Sequence, residues 1–211
     1  MSAVVNVGVR FRSYALCVGT IPLAGSWTVA CNRSEPDPPS AATGVRHPEV
    51  APVPNEAPGR CIVKLPATPP PHGQKSPTCP PDPGGMPPIS HGSVSFVDAP
   101  GAPRIAVEIA TTSAWHERGL MYRTSMPDEQ GMLFSWDTEG NRSFWMHDTC
   151  IPLDMLYVAL DGTIVGVLEE VPAMDETPRA VPCPAAHVLE VNAGYTRAHG
   201  ILPGQRLKIE T

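Results

Sequence analysis

Proline placement is the strongest constraint on this chain. Of its 27 prolines, 17 fall between Asn32 and Pro88, a stretch with no Phe, Trp or Tyr. Without large apolar side chains, such a segment cannot bury enough surface to offset the entropy of ordering it. The chain therefore divides into an N-terminal segment (1–31), a disordered Pro-rich tether (32–91) and a domain over 92–211. The last part, about 120 residues, is the only one long and apolar enough for a conventional core.

Charge follows the same division. The tether has five basic and five acidic residues, whereas the part from Gly92 onward has eight Lys/Arg against sixteen Asp/Glu. A domain this acidic repels nucleic acid, whose binding rests on neutralising phosphates with Lys and Arg. Nucleic acid is thus excluded as an expected partner.

The first 31 residues have the order of an export signal. Arg10 and Arg12 precede an uncharged run from Ser13 to Asn32, mostly apolar and small from Tyr14 to Ala30, as in a basic n-region followed by an apolar h-region. Thr28-Val29-Ala30-Cys31 at its end resembles a lipobox, with Cys31 as the acylated residue and mature N-terminus. The expectation is a lipoprotein anchored to a membrane through Cys31, in the cell envelope and facing the periplasm or exterior. A plain cleaved signal and a retained anchor remain as alternatives. Gly19, Pro22, Gly25 and Ser26 fit poorly with the roughly 20 strongly apolar residues of a spanning helix.

The tether has clusters at Pro38-Pro39, Pro69-Pro70-Pro71, Pro80-Pro81 and Pro87-Pro88. A polyproline spacer rises about 3.1 Å per residue, so the segment reaches at most on the order of 180 Å. It reads as a stalk or as low-complexity filler. Four cysteines remain after Cys17 and Cys31 are set aside: Cys61, Cys79, Cys150 and Cys183. An even count in an oxidising compartment implies disulfides. The preferred pairing keeps each bridge within its own segment, Cys61 with Cys79 and Cys150 with Cys183. No cysteine has C-x-x-C spacing, so no metal site is expected.

From Gly92 the pattern alternates. Strands are expected at Ser93–Val97, at Ile105, Val107 and Ile109, at Met132–Phe134, at Ser143–Met146, at Leu153–Leu160, at Thr163–Val171, at Val188–Val191 and at Arg206–Ile209. Asp161-Gly162 is the clearest hairpin signal. Ser113 offers an N-cap for a short helix through about Tyr122, and a helical turn spans Ala193 to His199, closed by Gly200. The fold class is mostly β: one small β-barrel or β-sandwich with one or two short helices.

Several runs then become recognisable. Glu117-Arg118-Gly119-Leu120-Met121-Tyr122-Arg123, Gly131-Met132-Leu133-Phe134, Ser143-Phe144-Trp145-Met146-His147-Asp148-Thr149-Cys150-Ile151-Pro152-Leu153-Asp154-Met155, and Val188-Leu189-Glu190-Val191-Asn192-Ala193-Gly194 with His199-Gly200 occur in order. Together they resemble the domain of unknown function 192 family over about 105–209. The resemblance implies a small β-rich domain, frequent in exported bacterial proteins, with no agreed activity. The family places a basic residue and Asn after Trp-Met; here His147 and Asp148 stand there.

The motifs supply the candidate ligand-binding residues Glu117, Arg118, Arg123, Trp145, His147, Asp148, Asp154, Glu190 and Asn192. Carboxylates near a His are suited to acid–base work, but no nucleophile elbow, phosphate loop or HExxH is present. The bland alternative has Arg118 and Arg123 pairing with carboxylates to fix the helix against the sheet. Met121, Met126, Met132, Met146 and Met155 read as core packing rather than Cu(I) ligands. Trp115 and Trp145 are candidates for stacking on a flat ligand, Trp115 being expected as the more exposed. The leading functional expectation is a cofactor-free envelope domain that binds a small molecule or cell-wall component. A carboxylate-dependent hydrolase of an envelope polymer and a pocketless interaction module are the alternatives.

Overall fold

A computed structural model describes residues 59–211; the expected signal segment, Cys31 and the tether up to residue 58 lie outside the described residues. The domain is a single seven-stranded sheet. Its strands are β1 (Ser90–Phe96), β2 (Ile105–Ala110), β3 (Gln130–Gly140), β4 (Leu153–Val158), β5 (Ile164–Val171), β6 (Ala185–Asn192) and β7 (Leu207–Glu210). They lie side by side in the order β5-β4-β6-β3-β2-β1-β7. Only β2 and β3 run parallel, with Ile109 opposite Leu133. The link between them carries helix α1 (Ser113–Arg118), as a parallel pair requires a crossover.

The sheet curls until its two ends meet. Thr163 and Arg206 form an isolated bridge, Leu207 N donates to Gly162 O at 2.9 Å, and Ile164 N donates to Gln205 O at 2.8 Å. Gly162, at φ 85, makes this closure feasible, because a Cβ there would sit 2.4 Å from Leu207 O. The result is a half-barrel, one of the two architectures expected from the strand spacing.

Period-two alternation sends side chains into two cores. Val94, Ile105, Val107, Leu133, Leu156, Val158, Leu189 and Val191 fill one face with Tyr195 of α2 (Tyr195–Ala198). Met132, Phe134, Leu153, Met155, Tyr157 and Val188 fill the other, beneath α1 and the segment leading to β4. Strand β4 contributes to both and is buried at every position. Each fully buried large side chain contributes roughly 1.5–3 kcal/mol. Met126, Met132, Met146 and Met155 are buried in the second core, as the packing reading expected, whereas Met121 is only half-buried.

Three elements differ from expectation. Ser143–Met146 is not a strand. It runs as an extended loop joined to the 172–184 connection by the Phe144↔Arg179 bridge and by Met146 N, which donates to Asp175 O at 2.9 Å. Helix α1 is capped by Thr112, whose hydroxyl accepts from Trp115 N, and it stops at Arg118 rather than near Tyr122. Gly119, at φ 47, ends it and packs its bare Cα side near Phe134.

The third difference is the second half of the expected tether. Residues 59–89 lie along the domain as a strap. Val63 N donates to Val165 O at 2.8 Å on the free edge of β5. Val63 and Ile89 pack on one core and Leu65 on the other. The disulfides also differ from the preferred pairing. Cys61 joins Cys183 and Cys79 joins Cys150, with Cα separations of 5.5 and 5.6 Å. Both bridges cross from strap to domain, so the boundary at Gly92 does not mark where the packed structure begins. The physical reason is that a few aliphatic anchors and two covalent links do the work that aromatic burial would otherwise do.

Candidate functional site

The described surface has a cavity of about 290 Å³ on the face carrying the Phe134 core. Strand β3 supplies Phe134 and Trp136, β6 supplies Glu190, α1 supplies His116 to Arg118, and the loop before β4 supplies Asn141 to Trp145. The strands make the base because Phe134, Trp136 and Glu190 occupy the same face by alternation, Met132 lying opposite Glu190 across the β3–β6 pair.

Glu190 is the unusual group. It is only 4% exposed, and burial pushes its carboxyl up to about 8, offset in part by the Arg123 charge. No hydrogen bond from the protein holds it among the described residues, whereas buried polar groups ordinarily have partners. Burial thus favours the protonated form of the carboxyl that faces the cavity. Tyr157, on the adjacent strand, is raised above the usual phenol range by burial and by Glu190.

The aromatic wall is built by contact. The Phe134 and Phe144 rings meet edge-to-face at 4.9 Å, and Phe144 also meets Tyr157. His116 and Arg142 lie 4.2 Å from the Trp136 ring, and His116 Nε2 lies 3.0 Å from Ala110 O. Trp145 is 47% exposed at the rim and stacks on His147 at 4.8 Å. Trp115, expected as the more exposed tryptophan, instead packs partly buried against the core, with its Nε1 enclosed.

The nine candidates separate cleanly. Glu117, Arg118, Trp145 and Glu190 line the cavity. Arg123 sits outside it, paired with Glu108 of β2, which is the structural role weighed for it. His147 and Asp148 also sit outside, 3.5 Å from each other, with His147 Nδ1 2.8 Å from Glu176. Asn192 Nδ2 donates to Met126 O and so anchors the turn before β3. Asp154 is wholly buried and accepts from Glu170 N, Gly194 N, Thr196 N and the Thr196 hydroxyl, tying β5 to α2. Four donors account for a buried carboxylate without any ligand.

Arg118 lies in the wall but is not free. It pairs with Asp82 of the strap and covers the Tyr122 ring at 4.3 Å. Sequence reasoning missed His116, Trp136, Asn141 and Arg142. Arg142 donates to Ala185 O at 3.0 Å and to Thr138 O. It has no carboxylate partner among the described residues, and burial holds it below the usual arginine range. The available signal was an Arg flanked by an aromatic strand and the Phe144-Trp145-Met146 run.

A second, more open groove of about 630 Å³ runs between the strap and the end of β5, lined in part by Pro71, His72, Lys75, Glu170 and Met174. Both of its acids are already engaged: Glu170 holds His72 at 3.0 Å and accepts from Gly73 N at 2.9 Å, and Glu169 pairs with Arg197 at 2.8 Å. No group of three metal-ligating side chains occurs among the described residues, and no described helix is long and apolar enough to cross a membrane.

Comparison with known proteins places this geometry in context. Residues 96–209 match the family of domain of unknown function 192, described as Uncharacterized ACR. A solved structure of a candidate transcription regulator from Sinorhizobium meliloti 1021 is 36% identical, with a TM-score of 0.56, over 59% of this chain and 98% of that one. A protein of unknown function from Novosphingobium aromaticivorans DSM 12444 is 32% identical, with a TM-score of 0.51, over 64% of this chain and 94% of that one. No curated protein matches.

Proposed function

We propose that this chain, which belongs to the domain of unknown function 192 family, is an exported envelope protein. Its domain binds a ring-shaped polar ligand, such as a saccharide unit of the cell wall. The observation that carries the binding reading is Glu190, a buried carboxyl without a protein partner facing an aromatic-walled cavity. Binding sites typically combine an apolar wall with a few convergent polar groups. Trp145 offers an exposed ring at the mouth, and Asn141, Ser143 and Glu117 offer hydrogen-bonding groups around it.

Export is supported by Arg10 and Arg12 before an apolar run ending at Cys31. The two strap disulfides agree with it, because such bonds persist in oxidising compartments. Lipid attachment at Cys31 would tether the domain to the membrane. Nucleic acid is not among the proposed partners, since sixteen acids against eight bases from Gly92 onward oppose binding to phosphates.

A hydrolytic reading has one observation in its favour, the raised Glu190 carboxyl sharing a cavity with Glu117. Release of reducing ends from wall polymer by the wild type, and not by Glu190→Gln, would turn the binding reading into a catalytic one.

Calorimetric titration of the full-length protein with methyl glycosides tests the binding proposal. Saturable binding is expected, weakened by about 0.5–1.5 kcal/mol in Trp145→Ala through loss of the aromatic face. No binding of any saccharide up to about 10 mM, the limit of the weakest useful affinities, overturns it.

A further inference from the structure

Glu190 stands on a floor that is otherwise apolar. Met132 of β3 and Met155 of β4 lie directly opposite it, one on each side. Phe134 and Tyr157, each paired with Val188, are its diagonal neighbours on the same face, a spacing that long and aromatic side chains bridge. Phe144 meets both rings edge-to-face, with centroids at 4.9 and 6.2 Å. The Tyr157 hydroxyl is spent elsewhere, donating to Arg179 O at 3.2 Å. Glu190 is therefore more than nine-tenths buried with no hydrogen-bond partner for its carboxyl among the described residues, yet it lines the cavity of about 290 Å³.

A carboxyl on such a floor is complementary to a neutral group. A bound cation is opposed by Arg142, which lines the same cavity with only backbone carbonyls as partners among the described residues. A bound anion is opposed by Glu117. A protonated carboxyl offers one O–H and requires a good acceptor for it. An amide carbonyl accepts more strongly than a sugar hydroxyl, and the methyl of an acetyl group suits a floor of thioethers and aromatic rings. Resting on the ring-binding reading above, we propose that the cavity selects rings bearing an acetamido group, the chemistry of an N-acetylhexosamine. The Glu190 O–H donates to the acetamido carbonyl, and the methyl is buried against the Phe134 ring.

Selection of this kind depends on pH in one direction. The charged and titratable groups around Glu190 are Tyr157 of β4, Glu108 of β2 with its partner Arg123, His116, Glu117 and Arg118 of α1, and Arg142 in the far wall. Only the Arg123 charge offsets the effect of burial, and the carboxyl is still pushed up to about 8. Above that value the O–H is gone, and a carboxylate faces the acetamido oxygen as a second acceptor.

The test titrates three rings into the full-length protein: methyl N-acetylglucosaminide, methyl glucosaminide and methyl glucoside. They differ only in carrying acetamido, ammonium or hydroxyl at one carbon. Around pH 6 the acetamido ring is expected to bind about tenfold tighter than the glucoside, one hydrogen bond and one buried methyl acting together. That preference is expected to shrink several-fold by about pH 9 in the wild type. It should persist there in Glu190→Gln, whose amide N–H donates at either pH. Glu190→Met, similar in length but without a donor, should show the shrunken preference already at about pH 6. Equal binding of the acetamido and hydroxyl rings, or tightest binding of the ammonium ring, overturns the acetamido inference and leaves ring binding standing. Failure of all three to bind overturns this inference and the reading on which it rests. A full preference retained by the wild type at high pH, or by Glu190→Met in mild acid, overturns Glu190 as the donor.

Discussion

Replacing Glu190 by Gln should stabilise the protein at alkaline pH while leaving it nearly unchanged in mild acid. In the native state the carboxyl keeps its proton up to about 8 because burial penalises the charged form, whereas its ordinary value is 4.5. Between those values the folded chain binds a proton that the unfolded chain has released. Stability therefore falls as pH rises from about 4.5, and the loss is complete once pH passes about 8. The interval from 4.5 to about 8, at about 1.4 kcal/mol for each pH unit, gives an upper bound of about 5 kcal/mol. Relaxation and water entry into the cavity lower that, so a difference of about 2–4 kcal/mol between pH 5 and pH 9 is the working expectation. Gln has the shape of the protonated acid and cannot ionise. Urea unfolding at pH 5, 7 and 9, with the disulfides intact in both proteins, measures this. The wild-type midpoint should drop across the series relative to that of Glu190→Gln. Parallel curves at all three pH values would show that Glu190 ionises normally, and the reasoning from burial would fail.

Further outcomes follow from the same contacts. Peptide mapping without reduction should recover Cys61–Cys183 and Cys79–Cys150, which span separations of 122 and 71 residues. Breaking either should cost up to about 4–5 kcal/mol by the chain-entropy relation, though their overlapping loops make the two losses non-additive. Asp154→Ala should destabilise by about 3–5 kcal/mol in chemical denaturation, since it strands the amides of Glu170, Gly194 and Thr196. His147→Ala should weaken ligand affinity by less than Trp145→Ala does in the same titration, because His147 lies outside the cavity but stacks on the Trp145 ring at 4.8 Å. Radioactive palmitate should label the wild type and not Cys31→Ala; a labelled variant would refute lipidation at that residue.

The strands were legible wherever alternation is clean. Leu153–Val158 and Ile164–Val171 around Asp161-Gly162 declare a hairpin from composition alone, and the structure forms it with β4 beside β5. Phe144-Trp145-Met146 misled because three apolar residues in a row read as a buried strand. Only Met146 is fully buried; Trp145 faces out and Phe144 makes one bridge. The strap misled for the opposite reason. Its composition is that of a chain with nothing to bury, yet Val63, Leu65 and Ile89 are enough once Cys61 and Cys79 fasten it. Disulfide connectivity lies beyond sequence reasoning, because it depends on which distant segments the sheet brings together.

The site was half legible. Glu190 and Trp145 stood out as a charged and an aromatic residue in apolar runs, and both line the cavity. Asp154 stood out for the same reason and proved to be a structural acceptor, since a buried carboxylate looks the same in sequence whether four amides and hydroxyls hold it or none does. Arg142 offered only its place before the Phe144-Trp145-Met146 run, because its backbone-carbonyl partners become visible only in the packed structure.

The most direct test of ring binding at this cavity is the indole N–H spectrum of the tryptophans during titration with a methyl glycoside. Trp136 and Trp145 line the cavity, whereas Trp115 packs against the core with its Nε1 enclosed. Binding as proposed shifts the Trp136 and Trp145 signals in a saturable way and leaves Trp115 nearly still. Saturable binding that moves neither of those two signals, or shifts confined to residues of the Pro71–His72 groove, would contradict it.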